Sequence, residues 1–196
     1  MNDIVMYFAY VSPEGSHIYA KLEERDGVKL LHGNFTDTMN DYSNAYYFLA
    51  GDLNARAKDF FDYIPSDNLD YIFGETDYEG DAFNMARNNK DMQTFNLFGK
   101  TLTEFCRSHD LHIMNGRLHN DLDGNFTCTA NNGASTVDYN ISSTELFKNC
   151  TYFNVENRAE SDPFPLFCQL TFEKVLNTDQ QASIQNDQLH DQVKFR

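Results

Sequence analysis

Several things are missing from this sequence. It holds no apolar run of eighteen residues, so nothing in it reads as a membrane span and no membrane partner is expected. Its first residues, MNDIVMYFAYV, lack a basic n-region and a small-residue cleavage site. That argues against a secretory signal and for an intracellular protein, nuclear or cytoplasmic. The four N-x-[ST] sequons, at Asn34, Asn125, Asn140 and Asn149, are then expected to be chance occurrences. No two of the four cysteines, at 106, 128, 150 and 168, are spaced as C-x-x-C, so neither a zinc site nor a redox motif is suggested. Each falls in an apolar or strand-like stretch, which predicts buried free thiols. Basic residues are scarce: 15 Lys and Arg stand against 30 Asp and Glu, a formal charge of −15. Affinity for a nucleic-acid backbone comes from cations that displace counterions, so the composition argues against tight non-specific binding to DNA. A local basic site is still allowed. No internal repeat is visible. Residues 58–91 are rich in acids, but their spacing does not follow a calcium loop, and they read as a solvated loop.

What is present is enough for one domain with a sizeable core. There are 196 residues, 41% of them hydrophobic, with 17 Phe and 11 Tyr. Residues 4–11 (IVMYFAYV) are β-branched and aromatic and predict a buried strand, which needs neighbours on both sides. Val28, Leu31, Phe35, Met39 and Tyr42 recur at helical spacing and predict an amphipathic helix over about 28–42, with Gly33 as a weak point. Phe98, Leu102, Phe105 and Cys106 predict a second. Strands are expected at 46–50, 111–115, 125–129, 135–143, 150–155 and 165–172, although Asn140 stands where an apolar residue is expected. From residue 173 the composition shifts to Gln, Asn and Asp, which predicts a polar tail or linker outside the fold.

The stretch with the most chemistry is YYFLAGDLNAR, residues 46–56. Its apolar run is expected to end at Gly51. Asp52 and Asn54 follow, and strand alternation would place them on one face. Asp52 can accept a proton or hold a cation, and Asn54 can donate to an oxyanion. Taken alone, Gly, Asp and Asn are also ordinary turn residues.

Read together, six motifs stand in order: Tyr10 with Pro13, GDLNAR (51–56), HIMNGR (112–117), GNFTCT (124–129), STVDYNISS (135–143) and Ser161-Asp162. This series resembles the endonuclease/exonuclease/phosphatase superfamily, and the Asn-Gly-Arg and Thr-Val-Asp-Tyr forms look most like the endonuclease domains of non-LTR retrotransposons. The resemblance implies an α/β fold: a deoxyribonuclease-like two-sheet sandwich flanked by helices, over residues 1–172. It implies magnesium-dependent cleavage of DNA phosphodiesters. In that scheme Tyr10 reaches the substrate phosphate and Asp52 orients or deprotonates the attacking water. Asn54 hydrogen-bonds a phosphate oxygen, Asp138 orients a catalytic histidine, Asn115 and Thr127 contact substrate, and Asp162 binds the metal.

Two departures bear on activity. The superfamily's last motif is Ser-Asp-His, and here Pro163 takes the histidine's place. Proline can neither transfer a proton nor bond a phosphate. The superfamily also places an Asn and a metal-binding Glu ahead of the Tyr strand, and nothing before residue 4 matches them, so the domain is expected to be incomplete at its amino end. The resemblance thus implies an impaired magnesium-dependent endonuclease that binds metal weakly. The alternative is an inactive remnant or a binding module that keeps the scaffold.

Overall fold

The computed structural model describes residues 2–65, 85–92, 95–130, 133–156, 164–172 and 191–195. Nine strands and three α-helices are found among them: β1 (Ile4–Tyr10), α1 (Gly27–Asp41), β2 (Tyr46–Asp52), α2 (Leu97–Ser108), β3 (Leu111–Ile113), β4 (Cys128–Ala130), β5 (Gly133–Ser135), β6 (Asp138–Ser143), α3 (Thr144–Lys148), β7 (Cys150–Val155), β8 (Leu166–Phe172) and β9 (Asp191–Phe195). The protein is α/β. A mixed four-stranded sheet runs β1-β2-β6-β3, with β1 parallel to β2 and the other pairs antiparallel. A second sheet, β7-β8-β9, is antiparallel, and β4 and β5 form a small ribbon. No helix of the described residues is long and apolar enough to cross a membrane.

Period-two alternation divides the four-stranded sheet into two unlike faces. Tyr47, Leu49, Tyr139 and Ile141 point one way and meet Val28, Leu31 and Phe35 of α1 and Phe98, Leu102 and Phe105 of α2. Phe48 and Ala50 point the other way and meet Phe153, Val155, Cys168 and Leu170 of the second sheet. Burying those side chains from water on both faces is the main force assembling the layers. α1 begins where Asp26 accepts the N–H groups of Val28 and Lys29 at 2.9 and 3.1 Å, satisfying two of the helix's free donors. Gly33 does not break it, because a side chain there would meet open space. Asn96 caps α2 by accepting the Gly99 N–H at 2.8 Å.

Three expectations change. The strand at residues 4–11 does not have neighbours on both sides: β1 is an edge strand, paired with β2 alone among the described residues, and Phe8 and Tyr10 are 65% and 69% exposed. Gly51 does not end its strand, since β2 continues to Asp52. At Gly51, with φ +143°, a Cβ would lie 1.9 Å from the Ala9 carbonyl oxygen. The glycine is there because two backbones come close, not because the strand stops. Within the segment read as a polar tail, residues 191–195 form β9 against β8, Cys168 facing Phe195 and Phe172 facing Asp191. Composition hid this strand, because a backbone ladder needs no apolar side chains.

Candidate functional site

Register brings three of the expected catalytic residues into one row. Tyr10 of β1 pairs with Asp52 of β2, and Asp52 pairs with Asp138 of β6. All three are on the face toward the second sheet. Backbone bonds hold the row at its outer end: the Val11 N–H donates to the Asp52 carbonyl at 2.8 Å, and the Leu53 N–H donates to the Val137 carbonyl at 2.9 Å. Beside the row, a cavity of about 220 Å³ opens between the sheets, lined by Phe8, Ala50, Asp138, Asn140, Phe164 and Leu166 among others.

The alternation expected to carry Asn54 onto the face of Asp52 stops at Asp52. Asn54 is left-handed, at φ 48°, and its N–H donates to Asp52 Oδ1 at 3.0 Å. Short polar side chains tolerate that region and close such turns. The Asn54 amide also donates to the Val11 carbonyl at 2.9 Å, tying the end of β1 to the end of β2. The turn reading of this stretch holds, and the shared face expected for Asp52 and Asn54 does not form. Asp52 is half-buried, and that desolvation raises its pKa, opposed by the bonds from Asn54. A carboxylate with raised proton affinity is a better base for water than an exposed one.

Asn115 and Thr127 sit behind the row. Asn115 is 1% exposed. It donates to the Asp138 carbonyl at 3.2 Å and accepts the Asn140 N–H at 3.0 Å, extending the sheet where β3 has ended. Thr127 is fully buried. Its hydroxyl oxygen accepts the N–H groups of Val137 and Asp138, both at 3.0 Å. Both residues fix the backbone that carries Asp138. Asn140, the polar residue in an apolar place, is buried on the cavity face.

Sequence reasoning missed the braces around the row. The acidic loop was expected to be solvated, yet Asp62 is buried against Arg117, whose Nη1 donates to it at 2.6 Å, and it also accepts the Ile113 N–H at 2.7 Å. Asp91 is 3% exposed and accepts from Arg56 Nε at 2.8 Å and from the Thr136 N–H at 3.2 Å. Asn96 accepts the Arg56 N–H at 2.8 Å and donates to the Asn54 carbonyl at 2.8 Å. Tyr139, whose phenol is pushed up to about 12 by burial, donates to the Ala55 carbonyl at 2.8 Å. The arginines of GDLNAR and Asn-Gly-Arg thus serve as anchors for distant carboxylates. Pairing across such separations leaves no periodic trace in the chain.

Ser161, Asp162 and Pro163 lie outside the described residues. Phe164, which follows them, donates its N–H to the Thr127 carbonyl at 2.7 Å and lines the cavity. His119, considered as a replacement for the missing histidine, lies at the other side of β7, where its Nε2–H donates to the Cys150 carbonyl at 3.1 Å. Among the described residues, no group of three or more His, Cys, Asp and Glu is placed to hold a metal ion. Asp52 and Asp138 alone put two carboxylates at paired positions of adjacent strands. Two carboxylates without a third donor do not by themselves make a metal site among the described residues.

Compared with known proteins, the chain matches no family model and no curated protein.

Proposed function

We propose that the chain is an endonuclease/exonuclease/phosphatase-type domain of the retrotransposon-endonuclease kind, built to hold a DNA phosphodiester, with little turnover. The observation that carries this reading is the row Tyr10–Asp52–Asp138, in register at the ends of three adjacent strands beside an open cavity. The layered arrangement of two sheets with helices outside is compatible with the deoxyribonuclease-like sandwich. In this reading Asp52 takes the proton of the attacking water and the exposed Tyr10 phenol donates to a phosphate oxygen. Asp138 borders the cavity, while Asn115 and Thr127 position it. Asn54 shapes the turn that presents Asp52 and offers its amide to a phosphate oxygen. Magnesium, which the resemblance assigns to Asp162 with Asp52 as a helper, would neutralise charge on the phosphate.

Low turnover follows from Pro163. A positioned acid or base contributes on the order of 10²–10⁴ in rate, and proline supplies neither. The second reading, a binding module without catalysis, is favoured by the same residue. The test is nicking of supercoiled plasmid and of an abasic duplex, with and without magnesium. The expected result is very weak, magnesium-dependent nicking that Asp52→Ala abolishes and that Pro163→His alone raises little. Retention of DNA without nicking in either protein would select the binding module. Robust nicking by the unmodified chain, lost in Asp52→Ala, would show that another group replaces the histidine.

A further inference from the structure

Two buried thiols face each other across the second sheet. Cys150 opens β7 and Cys168 lies in β8, and their sulfurs are 3.7 Å apart. The meeting depends on an irregularity in the ladder. The register shifts between Cys150 and Tyr152, so that Cys150 faces Leu170 while Phe153 faces Cys168. Without this bulge, alternation would put Cys150 and Phe153 on opposite faces. With it, both are buried toward the core, and Thr151 and Tyr152 face out. Cys106 lies buried in α2, and Cys128 is in the small ribbon.

We propose that Cys150 and Cys168 form a redox-convertible pair, a dithiol that a hydroperoxide oxidises to a β7–β8 disulfide. A disulfide needs the sulfurs at about 2.05 Å. The present separation is sulfur–sulfur contact, and the bond requires the two sulfurs to move closer. Cys150 attacks first. Hydrogen bonding from Cys168 lowers its pKa, whereas the Cys168 thiol is pushed up by that same bond and by burial. The Cys150 thiolate attacks one peroxide oxygen, the O–O bond breaks, and the departing oxygen takes a proton to leave as water or alcohol. This leaves a sulfenic acid on Cys150. The Cys168 sulfur then attacks the Cys150 sulfur, the S–O bond breaks, and the hydroxide leaves with the Cys168 proton as water. Two thiols are oxidised by two electrons in all, and one peroxide is reduced. The new bond ties β7 to β8 close to Phe164, which lines the cavity.

The experiment uses the full chain, reduced, treated with hydrogen peroxide, then denatured and alkylated for intact mass and peptide mapping. The expected product is lighter by two hydrogen atoms and binds alkyl groups at Cys106 and Cys128 only. One cross-linked peptide holds Cys150 and Cys168, and dithiothreitol restores all four thiols. The oxidised protein also melts at a higher temperature than the reduced one, because the link constrains the unfolded chain. In Cys168→Ser, a sulfenic-acid trap such as dimedone labels Cys150. Alkylation of Cys150 and Cys168 after peroxide treatment of the wild type overturns the proposal, as does a disulfide joining either of them to another cysteine. The mapping on the wild type decides this whether or not the variant folds.

Discussion

The two faces of the four-stranded sheet are made from the same strands and differ in what they bury. Toward the helices, β2 and β6 present Tyr47, Leu49, Tyr139 and Ile141 against the aromatic and aliphatic faces of α1 and α2. Toward the second sheet the same strands present Phe48 and Ala50, but also Asp52, Asp138, Asn140 and Ser142. The first face needs only apolar area and close packing. The second also buries polar groups, where an unmet donor or acceptor costs more than a bond gains. On that side Asn115 and Thr127 bond the backbone that carries Asp138 and Asn140. The helix face is wholly apolar packing, and the other face carries polar groups among its apolar ones.

Leu49→Ala is the largest test of that contrast. Leu49 is 1% exposed in a strand paired on both sides. Its truncation leaves a cavity and should cost about 2–5 kcal/mol, read as a fall in the denaturant midpoint. Asn115→Ala on the polar face should cost about 1–3 kcal/mol, because the Asn140 N–H and the Asp138 carbonyl lose their partner. It should also loosen Asp138, seen as faster amide exchange at Asp138 and Asn140.

Asp52→Asn is the smallest effect, of opposite sign. The raised pKa means that the folded protein binds the Asp52 proton more tightly than the unfolded chain, whose carboxyl titrates near 3.8. Over the window just above that value the folded state holds more protons, so wild-type stability falls as pH rises through it. The neutral amide avoids this and still accepts from Asn54. The variant should gain under about 1 kcal/mol at neutral pH, given partial solvent screening, and the gain should vanish in acid as Asp52 itself protonates. Thermal midpoints of both proteins across pH 3–8 measure it. A variant less stable than wild type at neutral pH would mean that the carboxylate supports the fold.

Much of the layout was legible in the chain. The apolar period of 3.6 located α1 within about a residue of its ends, and apolar or alternating runs located β2, β7 and β8. These features are local: a helix or strand must turn one stripe inward, and that stripe is written into consecutive residues. The row was legible as residue types, through GDLNAR and STVDYNISS, but not as a row.

What the sequence determined by itself was therefore the elements and their buried faces, because side-chain polarity and backbone preference act over a few residues. Tertiary structure alone decided the pairings. The register of β1 on β2 and of β2 on β6 places Tyr10, Asp52 and Asp138 side by side. A bulge turns Cys150 toward Cys168, and a backbone ladder draws residues 191–195 into the second sheet. Each pairing rests on hydrogen bonds between segments far apart in the chain, satisfied only once both strands are in place.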